Sequence, residues 1–261
     1  MMRFSANIEM LCKNESFVDR IRTAKASGFD GIEFWSWENK DLRSIGLLCQ
    51  ELGLGISSIS GDSCEYALCD DTHSRPYIEY ARASFEAAEQ IGCSMVVLHS
   101  NALDNGVVVD SYEKVPSHRL FLSMAKTLTA LSPYAQKAGI TCVLEPLNIQ
   151  VDHPGCLLHS LAEAALVVES VGSPSIRLLY DLYHMQIETG NLIANFDRFQ
   201  PLIAHIHAAD VPGRHEMGTG EINYTTVFSH LRSRGYGNWV AFELSPSESY
   251  EKAVKAIMDM K

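Results

Sequence analysis

The chain repeats one phrase: a stretch with helical spacing of apolar residues, a glycine, then a short buried-looking run. Gln90-Ile91-Gly92, Lys137-Ala138-Gly139 and Arg234-Gly235-Tyr236-Gly237 each close such a helix, and Phe17, Ile21, Ala24 and Ala26 lead in the same way to Gly28. Glycine after the last helical turn accepts the left-handed backbone that ends a helix. The runs fall at 4–9, 31–34, 54–59, 95–100, 140–145, 177–181, 204–208 and 239–244. Several, such as Met95-Val96-Val97-Leu98 and Ile140-Thr141-Cys142-Val143-Leu144, are continuously apolar rather than alternating, as parallel strands covered by helices are. Eight strand–helix units in 261 residues predict an α/β fold, a single (β/α)8 TIM barrel spanning 1–261. A doubly wound sheet would carry a glycine-rich turn after its first strand; that turn here is Glu9-Met10-Leu11-Cys12-Lys13-Asn14.

With 21 basic and 32 acidic residues the net charge is −11, and no basic block interrupts the chain. A nucleic-acid or anionic-membrane partner is therefore not expected, and a small molecule is. No apolar run is long enough to span a bilayer, and Met1-Met2-Arg3 leads into Phe4 without a secretory leader, so a cytoplasmic protein is expected. A homo-oligomer is compatible with this reading. Seven cysteines between Cys12 and Cys156, without a C-x-x-C pair, read as reduced core residues.

Four runs of the second half end in groups that bind cations: Leu144-Glu145, Tyr180-Asp181, Ile206-His207 and Phe242-Glu243. Singly, each carboxylate reads equally as a helix cap or a partner for a nearby base. Together they lie 36, 26 and 36 residues apart, one strand–helix unit each, so all fall at the same phase and around one barrel mouth. Three carboxylates buried together need a cation. An O,O,O,N donor set with open positions suits a divalent metal ion, Mn²⁺ in preference to Mg²⁺ or Co²⁺, rather than closed structural Zn²⁺.

Around these, His184 is expected beside the ion or the substrate. Arg214, in the long loop ending Gly218-Thr219-Gly220-Glu221-Ile222-Asn223-Tyr224, is expected to meet a substrate carboxylate. Trp35 in Phe34-Trp35-Ser36-Trp37 either walls off a small polyol or packs on the next helix, and His99 is a further pocket candidate. Gly218-Thr219-Gly220 is no dinucleotide fingerprint; its glycines are expected to fold the loop back over the site. No G-x-S-x-G elbow supports serine hydrolysis.

At these residues the sequence resembles the hydroxypyruvate isomerase family, a branch of the xylose-isomerase-like barrels that also holds 2-oxo-tetronate isomerases, ketose 3-epimerases and, more distantly, endonuclease IV. The carriers are Gly28-Phe29-Asp30-Gly31-Ile32-Glu33-Phe34, Leu144-Glu145-Pro146-Leu147, Asp181-Leu182-Tyr183-His184-Met185-Gln186, His205-Ile206-His207, Arg214-His215-Glu216 through Gly220-Glu221-Ile222-Asn223-Tyr224, and Gly237-Asn238-Trp239-Val240 before Glu243. The resemblance implies that Glu145, Asp181, His207 and Glu243 bind the metal and that Glu145 and Glu243 are the acid/base pair. It implies isomerisation of a small 2-hydroxy-carbonyl acid through a cis-enediolate, with 3-epimerisation of a free ketose as the alternative. His207 stands where hydroxypyruvate isomerases can carry glutamine and is shared with the epimerases. Phosphodiester hydrolysis, which in the resembling nucleases uses three metals, is a distant alternative, because Gly213 stands where those enzymes carry a metal-binding aspartate. A non-catalytic sugar-binding barrel is the other.

Overall fold

The computed structural model describes all 261 residues. Its strands are β1 (Arg3–Asn7), β2 (Gly31–Glu33), β3 (Gly55–Ile56), β4 (Ile59–Ser60), β5 (Met95–Leu98), β6 (Leu103–Asp104), β7 (Val107–Val108), β8 (Thr141–Leu144), β9 (Ile176–Asp181), β10 (Ile203–Ala208) and β11 (Trp239–Phe242). Its helices are α1 (Phe17–Ala26), α2 (Leu42–Leu52), α3 (Ser74–Gln90), α4 (Ser117–Ala138), α5 (Leu161–Val171), α6 (Leu182–Glu188), α7 (Leu192–Phe199), α8 (Tyr224–Ser233) and α9 (Tyr250–Met258). Apart from the small β6–β7 hairpin, all strands form one parallel sheet in the order β3-β2-β1-β11-β10-β9-β8-β5-β4. The two ends of that order are halves of one stretch of chain, so the sheet comes round on itself as a TIM barrel.

That closing stretch departs from the sequence expectation. A single strand over 54–59 is replaced by β3 and β4, separated at Ser57 and Ser58, whose hydroxyls turn inward to Glu33 Oε2 at 3.3 and 2.9 Å while Ser57 N–H keeps its bond to Ile32 O at 2.9 Å. Ser60 N–H still reaches Trp35 O at 3.0 Å on one side, and Gly61 N–H reaches Val97 O at 2.8 Å on the other. The expected strand over 95–100 also stops early, at Leu98, where His99 N–H leaves the ladder to donate to Asp62 Oδ2 at 2.6 Å.

Helix starts follow local chemistry. Ser16 caps α1 by accepting Asp19 N–H at 3.3 Å, and Asp41 caps α2 by accepting Ser44 N–H at 3.1 Å. The glycines that close α1, α3, α4 and α8 all have positive φ. The strands' outer side chains and the helices' inner faces merge in one apolar core, with Phe4, Phe228 and Phe242 in mutual edge or tilted contact. Six of the seven cysteines are buried, Cys64 is exposed, and all are free thiols. No helix is long and apolar enough to cross a membrane.

At the end of the barrel where the strands begin, the Trp239 ring lies across β2 and β3 with the Arg3 guanidinium stacked 4.0 Å from its centroid. Two glycines make room for it. A Cβ at Gly31 would stand 2.7 Å from both Gly55 O and the indole, and one at Gly55 would stand 2.7 Å from the indole. Gly31→Ala is therefore expected to destabilise the protein by about 1–3 kcal/mol, read as a lowered melting temperature in calorimetry; an unchanged transition contradicts this packing.

Candidate functional site

The parallel register sets the site. His207 on β10 is opposite Asp181, the last residue of β9, and opposite Ala241 on β11, two residues before Glu243. Glu145 follows β8 directly and keeps its N–H on Leu98 O of β5 at 3.0 Å. The four side chains thus emerge at one level of one rim. One donor atom from each of Glu145, Asp181, His207 and Glu243 lies within 4.8 Å of the others, and all four residues are buried.

His207 is at the centre. Its Nδ1 lies 3.0 Å from Glu243 Oε2, 3.3 Å from Glu145 Oε1 and 3.8 Å from Asp181 Oδ2. Despite these approaches, neither ring nitrogen nor Glu145 Oε1 makes an aligned hydrogen bond, and all three atoms are sealed from solvent. Burial alone would drive the imidazole to neutrality, but Glu33, Glu145 and Glu243 outweigh it and raise its pKa well above the usual histidine range. Burial raises the Asp181 carboxyl to about 7, with Glu145 and Glu243 adding to the rise against Arg214 and His207. Glu145 and Glu243 stay below their usual range in spite of burial, Glu145 held chiefly by His207 and then His99, Glu243 by Arg214 and then His207. Carboxylates this crowded select a cation. Glu145 Oε1 and the His207 ring nitrogens, sealed and without aligned partners, face Asp181 Oδ2 and Glu243 Oε2, and this set of three carboxylates and one imidazole fits a divalent ion that prefers oxygen ligands.

The neighbouring expected residues take distinct places. Asp181 divides its oxygens: Oδ1 accepts Tyr183 N–H at 2.7 Å and His184 N–H at 3.0 Å, capping α6, while Oδ2 faces His207 and Arg214. His184 Nδ1 accepts from the Asn148 side chain at 2.7 Å, so its proton sits on Nε2, 3.6 Å from Asp181 Oδ2. Burial and then Arg214 lower its pKa well below the usual value, leaving the ring neutral.

Arg214 Nη2 donates to Glu243 Oε2 at 2.7 Å and to Asp181 Oδ2 at 3.3 Å, and the guanidinium stacks 5.0 Å from the Tyr183 centroid. Arg214 itself adopts φ +56°, a left-handed backbone that costs a non-glycine residue about 1–3 kcal/mol. Its loop is tied down by buried Asp210, which accepts N–H groups of Val211, Gly218 and Gly220 at 2.9 Å and of Ile222 at 3.0 Å. A Cβ on Gly220 would stand 2.0 Å from Val211 O, so only glycine allows this return of the loop.

Trp35 is half-exposed and combines two roles. Its ring lines a cavity of about 40 Å³, and its Nε1 donates to Glu243 Oε1 at 2.7 Å. Its own N–H is pinned by Glu9 Oε2 at 2.6 Å, and Glu9 pairs with Lys40 at 3.0 Å. His99 lines the same cavity between two carboxylates, with Nε2 3.1 Å from Glu145 Oε2 and Nδ1 3.2 Å from Asp62 Oδ2. The cavity also holds Phe34, Ser58, Ser60, Ile59 and Val97, whereas Asp181, His184 and Arg214 do not line it. Asn7, Glu33, Asp62, Asn148 and Asp210 escaped sequence reasoning. Glu33 alone carried a signal, since it ends the second apolar run just as the four donors end theirs.

Residues 21–260 match the family model described as xylose isomerase-like TIM barrel. The hydroxypyruvate isomerase of Escherichia coli K12 is 27% identical over 270 residues, covering 98% of each chain. The putative hydroxypyruvate isomerase of Danio rerio is 30% identical over 267 residues, covering 97% of this chain and 94% of that one. A solved structure described as an AP endonuclease, family 2, from Brucella melitensis superposes with a TM-score of 0.89 at 25% identity, over 99% of both chains.

Removing the one guanidinium bonded to the cluster leaves Asp181 and Glu243 short of positive charge. In chelator-treated protein Arg214→Met is expected to cost about 3–5 kcal/mol in denaturant unfolding, with added Mn²⁺ restoring part of the loss; equal stability of variant and wild type without metal contradicts this balance.

Proposed function

Because the chain belongs to the xylose isomerase-like TIM-barrel family and to its hydroxypyruvate isomerase branch, and is thus an isomerase, we propose that it isomerises a short 2-hydroxy-carbonyl acid, of the hydroxypyruvate/tartronate semialdehyde or 2-oxo-tetronate kind. The reading is carried by the convergence of Glu145, Asp181, His207 and Glu243, within which Glu145 Oε1 and both His207 nitrogens are sealed and unbonded. These four residues would hold the divalent ion, with Mn²⁺ favoured over Mg²⁺ or Co²⁺. Such an ion, when bound, supplies Lewis-acid stabilisation of the oxyanion that develops as a C–H proton leaves, worth several kcal/mol.

The protein's own groups account for the proton. Glu243 is held at both oxygens, Oε1 by Trp35 and Asn7 and Oε2 by Arg214, which keeps it ionised and aimed. Glu145 has Oε2 engaged by His99 while Oε1 makes no hydrogen bond. Glu145 is therefore assigned as the group that takes the proton from the carbon beside the carbonyl. It or Glu243 then delivers the proton to the former carbonyl carbon, the hydroxyl proton passes to the former carbonyl oxygen, and the electron pair of the enediolate re-forms a carbonyl one position along. Arg214 would meet the substrate carboxylate, and His184, with its proton on Nε2, a hydroxyl. The cavity beside the four residues is walled by Phe34, Trp35, Ile59 and Val97, with Ser58, Ser60 and His99 as polar contacts. A net charge of −11 repels a polyanionic backbone, which weighs against phosphodiester hydrolysis as the activity.

With Mn²⁺ and hydroxypyruvate in D₂O, proton NMR is expected to follow the carbonyl moving from C2 to C3, with solvent deuterium entering at C2 of the tartronate semialdehyde formed. Glu145→Gln and Glu243→Gln are each expected to lower kcat by about 10²–10⁴-fold. A chelator should abolish turnover and Mn²⁺ restore it. Full activity of metal-free protein overturns the reading, and inversion at C3 of a free ketose without action on the acids replaces it with epimerisation.

A further inference from the structure

His207 has a fourth carboxylate neighbour. While Nδ1 faces Glu145, Asp181 and Glu243, the opposite nitrogen, Nε2, lies 3.3 Å from Glu33 Oε1. Glu33 is 2% exposed and is fixed from every side. Ser58 donates to its Oε2 at 2.9 Å, His205 Nε2 lies 3.1 Å from the same oxygen, and Asn7 Nδ2 donates to Oε1 at 3.3 Å. Asn7 donates equally to Glu243 Oε1 at 3.3 Å, so the clamp on one face of His207 is tied to a carboxylate on the other.

Glu33, His205 and His207 also lie close enough together to be considered as a second ion site. The donors on Glu33 argue otherwise. Its carboxylate is already taken up by two hydroxyls, an amide and the His205 ring. The trio is built to hold a ring, not to hold an ion.

We propose that Glu33 is a positioning residue: its carboxylate takes the Nε2 proton of His207, fixing the tautomer and turning the Nδ1 lone pair toward the point where Glu145, Asp181 and Glu243 converge. The proposal rests on those four residues holding a divalent ion. The contact is within ion-pairing range but not aligned as a hydrogen bond, and the proposal requires the ring to turn into line when the ion binds. A carboxylate behind a metal-ligating imidazole raises its basicity and sets its orientation, and losing such a partner costs about 10–100-fold in metal affinity. Glutamine cannot substitute, because its amide group would face either His205 or His207 with a donor where each ring needs an acceptor.

The test is calorimetric titration of Mn²⁺ into chelator-stripped wild type and Glu33→Gln. It is paired with ¹⁵N-histidine NMR of the Mg²⁺-loaded proteins, which reports the nitrogen carrying each ring proton. Expected are a dissociation constant raised by about 10–100-fold with the metal-free melting temperature within a few degrees of wild type, and a His207 proton on Nε2 in the wild type that is lost or displaced in the variant. A merely structural role would not move that ring signal. Binding within twofold of wild type, or a wild-type His207 proton on Nδ1, overturns the proposal. Should Glu33→Gln fail to fold, Glu33→Asp, which keeps the charge but withdraws it by one methylene, is read by the same two criteria. Wild type that binds no Mn²⁺ sinks the four-residue ion site as well; a wild type that binds, beside a variant that binds equally, sinks only the role of Glu33.

Discussion

Like charge held in a sealed place is the constraint to which the rest of the molecule answers. Three carboxylates surround one imidazole at the barrel mouth, each nearly out of water, and their mutual repulsion must be met by positive charge at short range. The chain supplies part of that charge itself. His207 sits between the carboxylates, His99 lies against Glu145, and Arg214 reaches Glu243 and Asp181 from a left-handed backbone position. Strain at Arg214 is tolerated because Asp210 fastens the surrounding loop through four backbone N–H groups. The divalent ion proposed here would complete the same balance more strongly, and the four residues that would hold it are brought to one level by parallel strand register rather than by loops.

The barrel separates stability from chemistry along its axis. At the end where strands begin, Trp239 fills the space left by Gly31 and Gly55 under the Arg3 guanidinium. At the other end, strands stop and polar groups take over. Asp181 serves both ends of this logic, capping α6 with one oxygen and facing the cluster with the other. Helix cap and ion ligand, alternatives in the sequence, are compatible here, because one oxygen of the carboxylate makes the cap and leaves the other facing the cluster. Trp35 likewise is neither wall nor packing alone, since its indole N–H orients Glu243 while its ring borders the cavity.

What the sequence revealed is what periodicity can reveal. Helix, glycine and apolar run recur along the chain, so the barrel was legible, as was the shared phase of residues 145, 181, 207 and 243. Features that depend on pairs far apart in the chain were not. The split between β3 and β4 falls at Ser57 and Ser58, whose hydroxyls answer to Glu33, and nothing in Leu54–Ile59 as a string announces that partner. Glu33 was hidden inside a strand motif, and Asp62 becomes meaningful only once His99 lies between it and Glu145. Arg214 was legible by its charge as a contact for a ligand, but its bonds from Nη2 and Nε to Glu243 and Asp181 join residues about 30 apart in the chain and were not.

The convergence of four donors on one ion is the central claim, and crystallography of Mn²⁺-soaked protein with data collected on both sides of the manganese absorption edge tests it without reference to turnover. The account requires a single strong anomalous peak within coordinating distance of Glu145, Asp181, His207 and Glu243 together. A peak displaced to the Glu33–His205 side, or no peak in crystals that hold manganese elsewhere, contradicts it.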